Sequence, residues 1–146
     1  MTTEIIFKII PHASKEYEKA VALRNDNLRK PLGLALSSEE LDQEKNDIHI
    51  VGMIENEVVA TSLLVPQGAI CQMRQVAIRN VFQKQGIGSE MVLFCESIAK
   101  KFGFNEIYCH ARDVAIHFYL KNGFIPEGEF FEEHSIPHLK MRKFLK

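Results

Sequence analysis

Gln83-Lys84-Gln85-Gly86-Ile87-Gly88-Ser89 lies between an apolar run, Val76-Ala77-Ile78, and an amphipathic segment that begins near Gly88. A strand that ends in a Gly-rich turn opening a helix makes a phosphate cradle. Glycine lets the backbone approach a ligand without a Cβ in the way. The first turn of a helix adds unpaired N–H groups and the positive end of the helix dipole, so it binds anions. Taken alone, a two-glycine turn also has a purely steric reading. A second segment about thirty residues on adds to it: Ala115-Ile116-His117-Phe118-Tyr119-Leu120-Lys121-Asn122-Gly123-Phe124.

Working outward, residues 88–102 read as the clearest helix. Ile87, Met91, Phe94/Cys95, Ile98 and Phe102 recur at helical spacing and face a core, and Gly103 closes the segment. Upstream, residues 69–79 read as a strand, preceded by strands 47–54 and 57–65 joined through a tight turn at Glu55-Asn56. The chain opens with a strand over 4–10, stopped by Pro11, and a helix over 15–29 ended by Pro31-Leu32-Gly33. That helix buries Tyr17, Ala20, Val21 and Leu28, with Leu23 at its margin and Arg24 in the middle of the apolar face. Ser37/Ser38 before Glu39-Glu40 reads as the cap of a short helix near 38–45. Downstream come a strand over 105–110, a short helix over 113–121 capped by Asp113, and a closing hairpin of 124–132 and 138–144. This order predicts a mixed α/β sheet with helices on both faces.

The chain has 146 residues, which is one domain by size, and 46% of them are apolar. A net charge of −1 supplies no basic field for nucleic acid. No apolar run of membrane-spanning length occurs, so no membrane partner is expected. Met1-Thr2-Thr3-Glu4 lacks a basic region and a cleavage site, so no signal peptide is expected. Cys71, Cys95 and Cys109 lie in apolar-patterned segments and read as buried free thiols, which fits a cytoplasmic location. No Cys/His cluster has zinc spacing, so no metal is expected. Gly-x4-Gly-Lys-Ser/Thr is absent. Gly-x-Gly-x-x-Gly fails at Met91, which excludes a dinucleotide fingerprint.

The two segments together resemble the GNAT superfamily of acyl-CoA-dependent N-acetyltransferases. That family carries Gln/Arg-x-x-Gly-x-Gly/Ala after a strand, met here by Gln83, Gly86 and Gly88. Its later A-x-x-F-Y-x-x-x-G-F segment is met by Ala115, Phe118, Tyr119, Gly123 and Phe124. The resemblance is specific over residues 73–124 and loose before residue 50. It implies one N-acetyltransferase domain over 1–146 and a mostly antiparallel sheet whose two central strands splay apart around the cofactor. It further implies acetyl-CoA as co-substrate, a primary amine acceptor attacking directly in a ternary complex, and a homodimer paired through sheet edges. A non-catalytic acyl-CoA sensor or interaction module on the same fold is the alternative.

Acetyl transfer from a thioester to an amine needs the donor held, the carbonyl polarised, a neutral amine, and a proton for the departing thiolate. The backbone N–H groups of Gln85, Gly86, Ile87, Gly88 and Ser89 are the candidates for the pyrophosphate. Gln83 resembles the family residue that braces the loop. Lys84 either adds an exposed charge or is an ordinary solvated lysine. The free edge of Val76-Ala77-Ile78 is expected to pair with the pantetheine amides. Tyr119 matches the family tyrosine that protonates the CoA thiolate; the competing reading is a core tyrosine. His110, at the end of the strand lining the gap, is the candidate base, against a hydrogen-bonded strand histidine. Parity puts it on the face opposite Cys109 and Ala111. His138, in a Pro-His-x-x-Met ending similar to that of one group of small GNAT proteins, is a second candidate.

Glu129, Glu132 and Glu133 attract a cationic amine or form a solvated hairpin face. Arg112 stands where family members often carry an Asn that contacts the cofactor, and it cannot accept a hydrogen bond as that Asn can. In the family the first two helices supply the acceptor site. Here Arg24, Arg29 and Lys30 either bind a carboxylate-bearing acceptor, with Arg24 and Arg29 as the substrate residues, or form a solvated, charge-paired face.

Overall fold

The computed structural model describes residues 4–146. Its strands are β1 (Ile6–Ile10), β2 (Ile48–Ile54), β3 (Glu57–Gln67), β4 (Ile70–Ile78), β5 (Glu106–Arg112), β6 (Ile125–Glu133) and β7 (Ile136–Phe144). Its α-helices are α1 (Lys15–Arg24), α2 (Ser38–Gln43), α3 (Ile87–Lys101) and α4 (Ile116–Lys121). The strands form one sheet in the order β1-β2-β3-β4-β5-β7-β6. Every neighbouring pair is antiparallel except β4 with β5.

That one parallel pairing is short. Only Ile70↔Glu106, Cys71↔Ile107 and Gln72↔Tyr108 are in register. Beyond Gln72 the two strands diverge, while β5 stays paired with β7 through Arg112 and β4 stays paired with β3 through Ile78. A bulge contributes to the divergence. β3 advances two residues from Thr61 to Leu63 while β4 advances three, from Arg74 to Ala77. The extra residue bends β4 away, and Gln75 absorbs it with a left-handed φ of 58°. The central splay that the family resemblance implied is therefore present.

Two apolar layers flank the sheet. One joins α3 and α4 to the sheet through residues such as Met91, Val92, Cys95, Ile107, Cys109 and Phe124. The other seats α1 on Ile10, Val51, Val58 and Ala77. Each fully buried aliphatic side chain contributes about 1.5–3 kcal/mol, and the first layer packs residues of both β4 and β5, such as Met73 and Cys109. The periodicity of α3 placed Ile87, Met91, Cys95 and Ile98 correctly. Phe102 is the exception: it is the C-cap, where the chain leaves the helix, and it is 52% exposed.

The first helix is shorter than its pattern. Ser14 caps it by accepting from the Tyr17 N–H at 3.1 Å, and α-helical bonding ends at Arg24. A π turn over Asn25–Arg29 and a 3-10 turn over Lys30–Leu32 follow. Two asparagines hold this wider turn in place. The Asn25 side-chain oxygen accepts from Leu36 N–H at 2.8 Å, and the Asn27 amide donates to the Ile78 carbonyl at 2.6 Å. Leu23, expected at the margin, is 3% exposed. The closing hairpin turns at His134-Ser135, where both residues have left-handed φ (51° and 62°). No Asn-Gly pair marked that turn in the sequence, and the strands reach closer to it than expected, β6 ending at Glu133 and β7 beginning at Ile136.

Candidate active site

The cradle begins where β4 ends. Gln83 donates through its side-chain amide to the Ile78 carbonyl at 3.0 Å and to the Asn80 side-chain oxygen at 3.1 Å, tying the loop to the strand end. Gln85 likewise donates to the Val81 carbonyl at 3.1 Å. Lys84 (φ 63°) and Gly86 (φ 83°) both take left-handed backbone, which turns successive N–H groups toward a common concavity. Ser14 and Ser37 cap α1 and α2, but Gly86 offers α3 no side-chain cap. Among the described residues, the N–H groups from Lys84 to Ser89 have no protein partner. The two glycines serve different ends. A Cβ at Gly86 would meet nothing within 4 Å, so its role is conformational. A Cβ at Gly88 would lie 3.2 Å from the Phe118 ring, so its role is to let α3 and α4 approach.

The splay itself is a cavity of about 590 Å³. Its β4 wall runs from Gln72 to Val76, its β5 wall from Cys109 to Arg112, and Ala115 and Tyr119 close one side. Of the three β4 residues expected along the pantetheine, Val76 lines this cavity. Ala77 faces the α1 layer, and the Ile78 carbonyl is occupied by Asn27 and Gln83. Tyr119 is 7% exposed and borders the cavity. Burial, reinforced by the neighbouring Cys109 thiol, holds its hydroxyl pKa well above the ordinary phenol value. It is therefore protonated at neutral pH. Burial also pushes the Cys109 thiol up to about 12, so that thiol is neutral too.

His110 enters the cavity from the opposite face of β5. Its Nδ1 lies 2.7 Å from Glu133 Oε1. A carboxylate only accepts, so Nδ1 donates, and in the neutral imidazole Nε2 is then the acceptor. The Phe131 ring packs edge-on against the imidazole at 4.9 Å. His138 Nδ1 donates to the Ile136 carbonyl at 2.7 Å, and its Nε2 is 3.7 Å from Glu133 Oε2. Glu133 thus sits between two imidazoles. Among the three glutamates singled out from the sequence, it is the one that lines the cavity.

The predicted acceptor cations part company. Arg24 is 2% exposed and forms a bidentate pair with Glu44 at 2.5 and 2.9 Å. Tyr17 adds a third bond to that carboxylate at 2.6 Å. Arg24 does not line the main cavity. Lys30 is exposed and pairs with Asp26 at 2.9 Å. Arg29 does line the cavity, with its guanidinium 3.2 Å from His134 Nε2 and 3.5 Å from Glu40. Arg74, Gln75 and His134 also line it and drew no attention in the sequence. The bulge and the turn that bring them there have no local sequence signal.

The model of the acetyltransferase (GNAT) family matches residues 14–124 of this chain. YyaT of Bacillus subtilis (strain 168), an uncharacterised protein, is 30% identical over 95 residues, which is 65% of this chain and 64% of YyaT. The alignment thus spans less than two thirds of that relative. An acyl-CoA N-acyltransferase from Pseudomonas aeruginosa superposes with a TM-score of 0.83 at 17% identity, covering 96% of this chain and 99% of the other. A GNAT family acetyltransferase from Elizabethkingia anophelis with acetyl-CoA bound superposes at 0.74 and 18% identity, covering 97% and 98%. Splayed strands, uncapped helix and family match agree: the chain belongs to the GNAT family of acetyltransferases.

Proposed function

We propose that this protein transfers an acetyl group from acetyl-CoA to a primary amine by direct attack in a ternary complex. The observation that carries the reading is the splay between β4 and β5, with Tyr119 on one face of β5 and His110 on the other. A thioester lying in the gap has its sulfur toward the α4 side and its carbonyl open to the His110 side. The amine nitrogen attacks the carbonyl carbon while His110 Nε2 takes an amine proton. Glu133, on Nδ1, orients the ring and stabilises the imidazolium that forms. The C–S bond then breaks, and the Tyr119 hydroxyl protonates the departing thiolate. The unpaired N–H groups from Lys84 to Ser89 hold the pyrophosphate. The exposed edge of β4 beyond Gln72 pairs with the pantetheine amides.

Acetyl-CoA as donor is supported by the acetyl-CoA bound to the Elizabethkingia anophelis protein of the same fold. The three buried free thiols fit a cytoplasmic location. Among the described residues, no helix is long and apolar enough to cross a membrane. Calorimetric titration with acetyl-CoA, against dephospho-CoA and ATP, tests the donor assignment. Micromolar binding with one site per chain supports it; no heat at millimolar acetyl-CoA removes it.

A further inference from the structure

Four ionisable side chains of fixed sign line the splay cavity: Arg29, Arg74, Arg112 and Glu133. The single carboxylate is already engaged by His110 and His138. Among the described residues, Arg74 and Arg112 have no carboxylate within 4 Å. This is unlike Arg24, whose charge is matched by Glu44 in the fold. Phosphate binding does not account for Arg74. It lies four residues upstream of Ile78, where the cradle is tied on, which is about 13 Å of strand at 3.3 Å per residue. Arg29, which also pairs with Glu40 at 3.5 Å, and Arg74 both border a second, smaller cavity of about 110 Å³ that shares Gln75 with the first and is lined as well by Glu40, Glu44 and Asp47. In this shared wall, Arg29 Nε and Gln75 Oε1 are buried without a protein partner.

Arg29 is also coupled to the base. Its guanidinium donates to His134 Nε2, and His134 follows Glu133, which holds His110. The His134-Ser135 turn reaches this arrangement with two successive non-glycine residues in left-handed backbone. A guanidinium is therefore held within a residue or two of the catalytic imidazole, on the acceptor face of the sheet.

We infer that the acceptor is a small amino acid whose carboxylate is clamped by Arg29 and Arg74 while its amine faces His110. A guanidinium fork matches a carboxylate bidentately, and two such forks discriminate against a neutral group at the same place. This inference rests on the transferase reading above. Thiol release from acetyl-CoA tests it, using the full chain and the common L-amino acids, each against its own amide. The amide has the less basic amine, so more of it is neutral, and a preference for the acid has to come from the site. The expected result is a kcat/KM for the preferred acid roughly ten- to hundredfold above that of its amide.

Arg74→Gln brings that ratio toward one, and Arg74→Lys restores part of it because the charge returns without the fork. Thermal unfolding confirms that both variants are folded. Turnover of amides equal to or better than acids overturns the inference and leaves the transferase reading standing, as does an unchanged ratio in Arg74→Gln. Acetyl-CoA binding without transfer to any acid overturns the inference; absence of thiol release with every primary amine offered, polyamines and peptide N-termini included, overturns the transferase reading as well.

Discussion

Tyr119 and His110 stand nine residues apart in sequence and on opposite faces of one strand in space. Removing the phenol oxygen in Tyr119→Phe leaves the ring packed against Phe118 and Phe124. The expected outcome is a fall in kcat of about 10²- to 10⁴-fold with acetyl-CoA affinity changed less than about threefold. A parallel loss of affinity and stability would make Tyr119 a packing residue. Arg24 belongs to stability instead. Glu44→Gln strands a buried guanidinium without its charge partner, which costs about 3–5 kcal/mol. Urea unfolding reads this directly, and a loss below about 1 kcal/mol would contradict the buried pair. That Tyr119 and His110 border the gap was legible because the family motif and strand parity mark their positions. Gln75, Arg74 and His134 were not, because a bulge in an antiparallel ladder leaves no periodicity to read.

At the scale of elements, α3 is built with an open N-terminus while α1 and α2 are closed by serine caps. The cradle accordingly responds to each glycine in its own way. Gly86→Glu places a like charge where the pyrophosphate is proposed to sit and forces a side chain into left-handed backbone, where strain is about 1–2 kcal/mol. Acetyl-CoA binding in calorimetry should vanish while circular dichroism shows a folded, slightly less stable protein. Unchanged affinity would remove the cradle from the CoA site. Gly88→Ala instead drives a methyl toward the Phe118 ring at 3.2 Å. It should lower the unfolding free energy by about 1 kcal/mol through displaced α4 packing. The glycine spacing showed in the sequence where the cradle is, but it did not separate these two roles, since only packing tells them apart.

Across the whole molecule, buried titratable groups set a stability optimum near neutral pH. Burial depresses the His49 pKa, so the fold keeps it neutral while the unfolded chain takes up a proton below about 6.5. For Glu44, burial acts upward, but hydrogen bonds from Arg24 and Tyr17 outweigh it and hold the carboxyl below 4.5. In both cases the unfolded chain binds more protons, so stability falls as pH falls. Asp47, raised by burial, acts in the opposite sense and trims the acid loss. On the alkaline side, burial pushes Cys71 to about 11 and Cys95 and Cys109 to about 12. The unfolded thiols ionise above about 9, so stability is lost as pH rises from there. The urea midpoint should therefore peak between pH 7 and 9 (on the order of these reference values) and decline on both sides. A flat profile from pH 4 to 11 would contradict the burial of these groups.

Local sequence was enough for the order of strands and helices, the core face of α3, the buried thiols and the Gly-rich turn that opens α3. Each depends on periodicity, on glycine or on capping chemistry within a few neighbouring residues. Where β4 leaves β5, which arginine is spent on a buried carboxylate, and which glutamate meets His110 were decided only by the tertiary structure. These depend on residues such as Arg24 and Glu44, or His110 and Glu133, that lie 20 and 23 positions apart. They meet only because the sheet closes around them, and no pattern along the chain encodes such a distance.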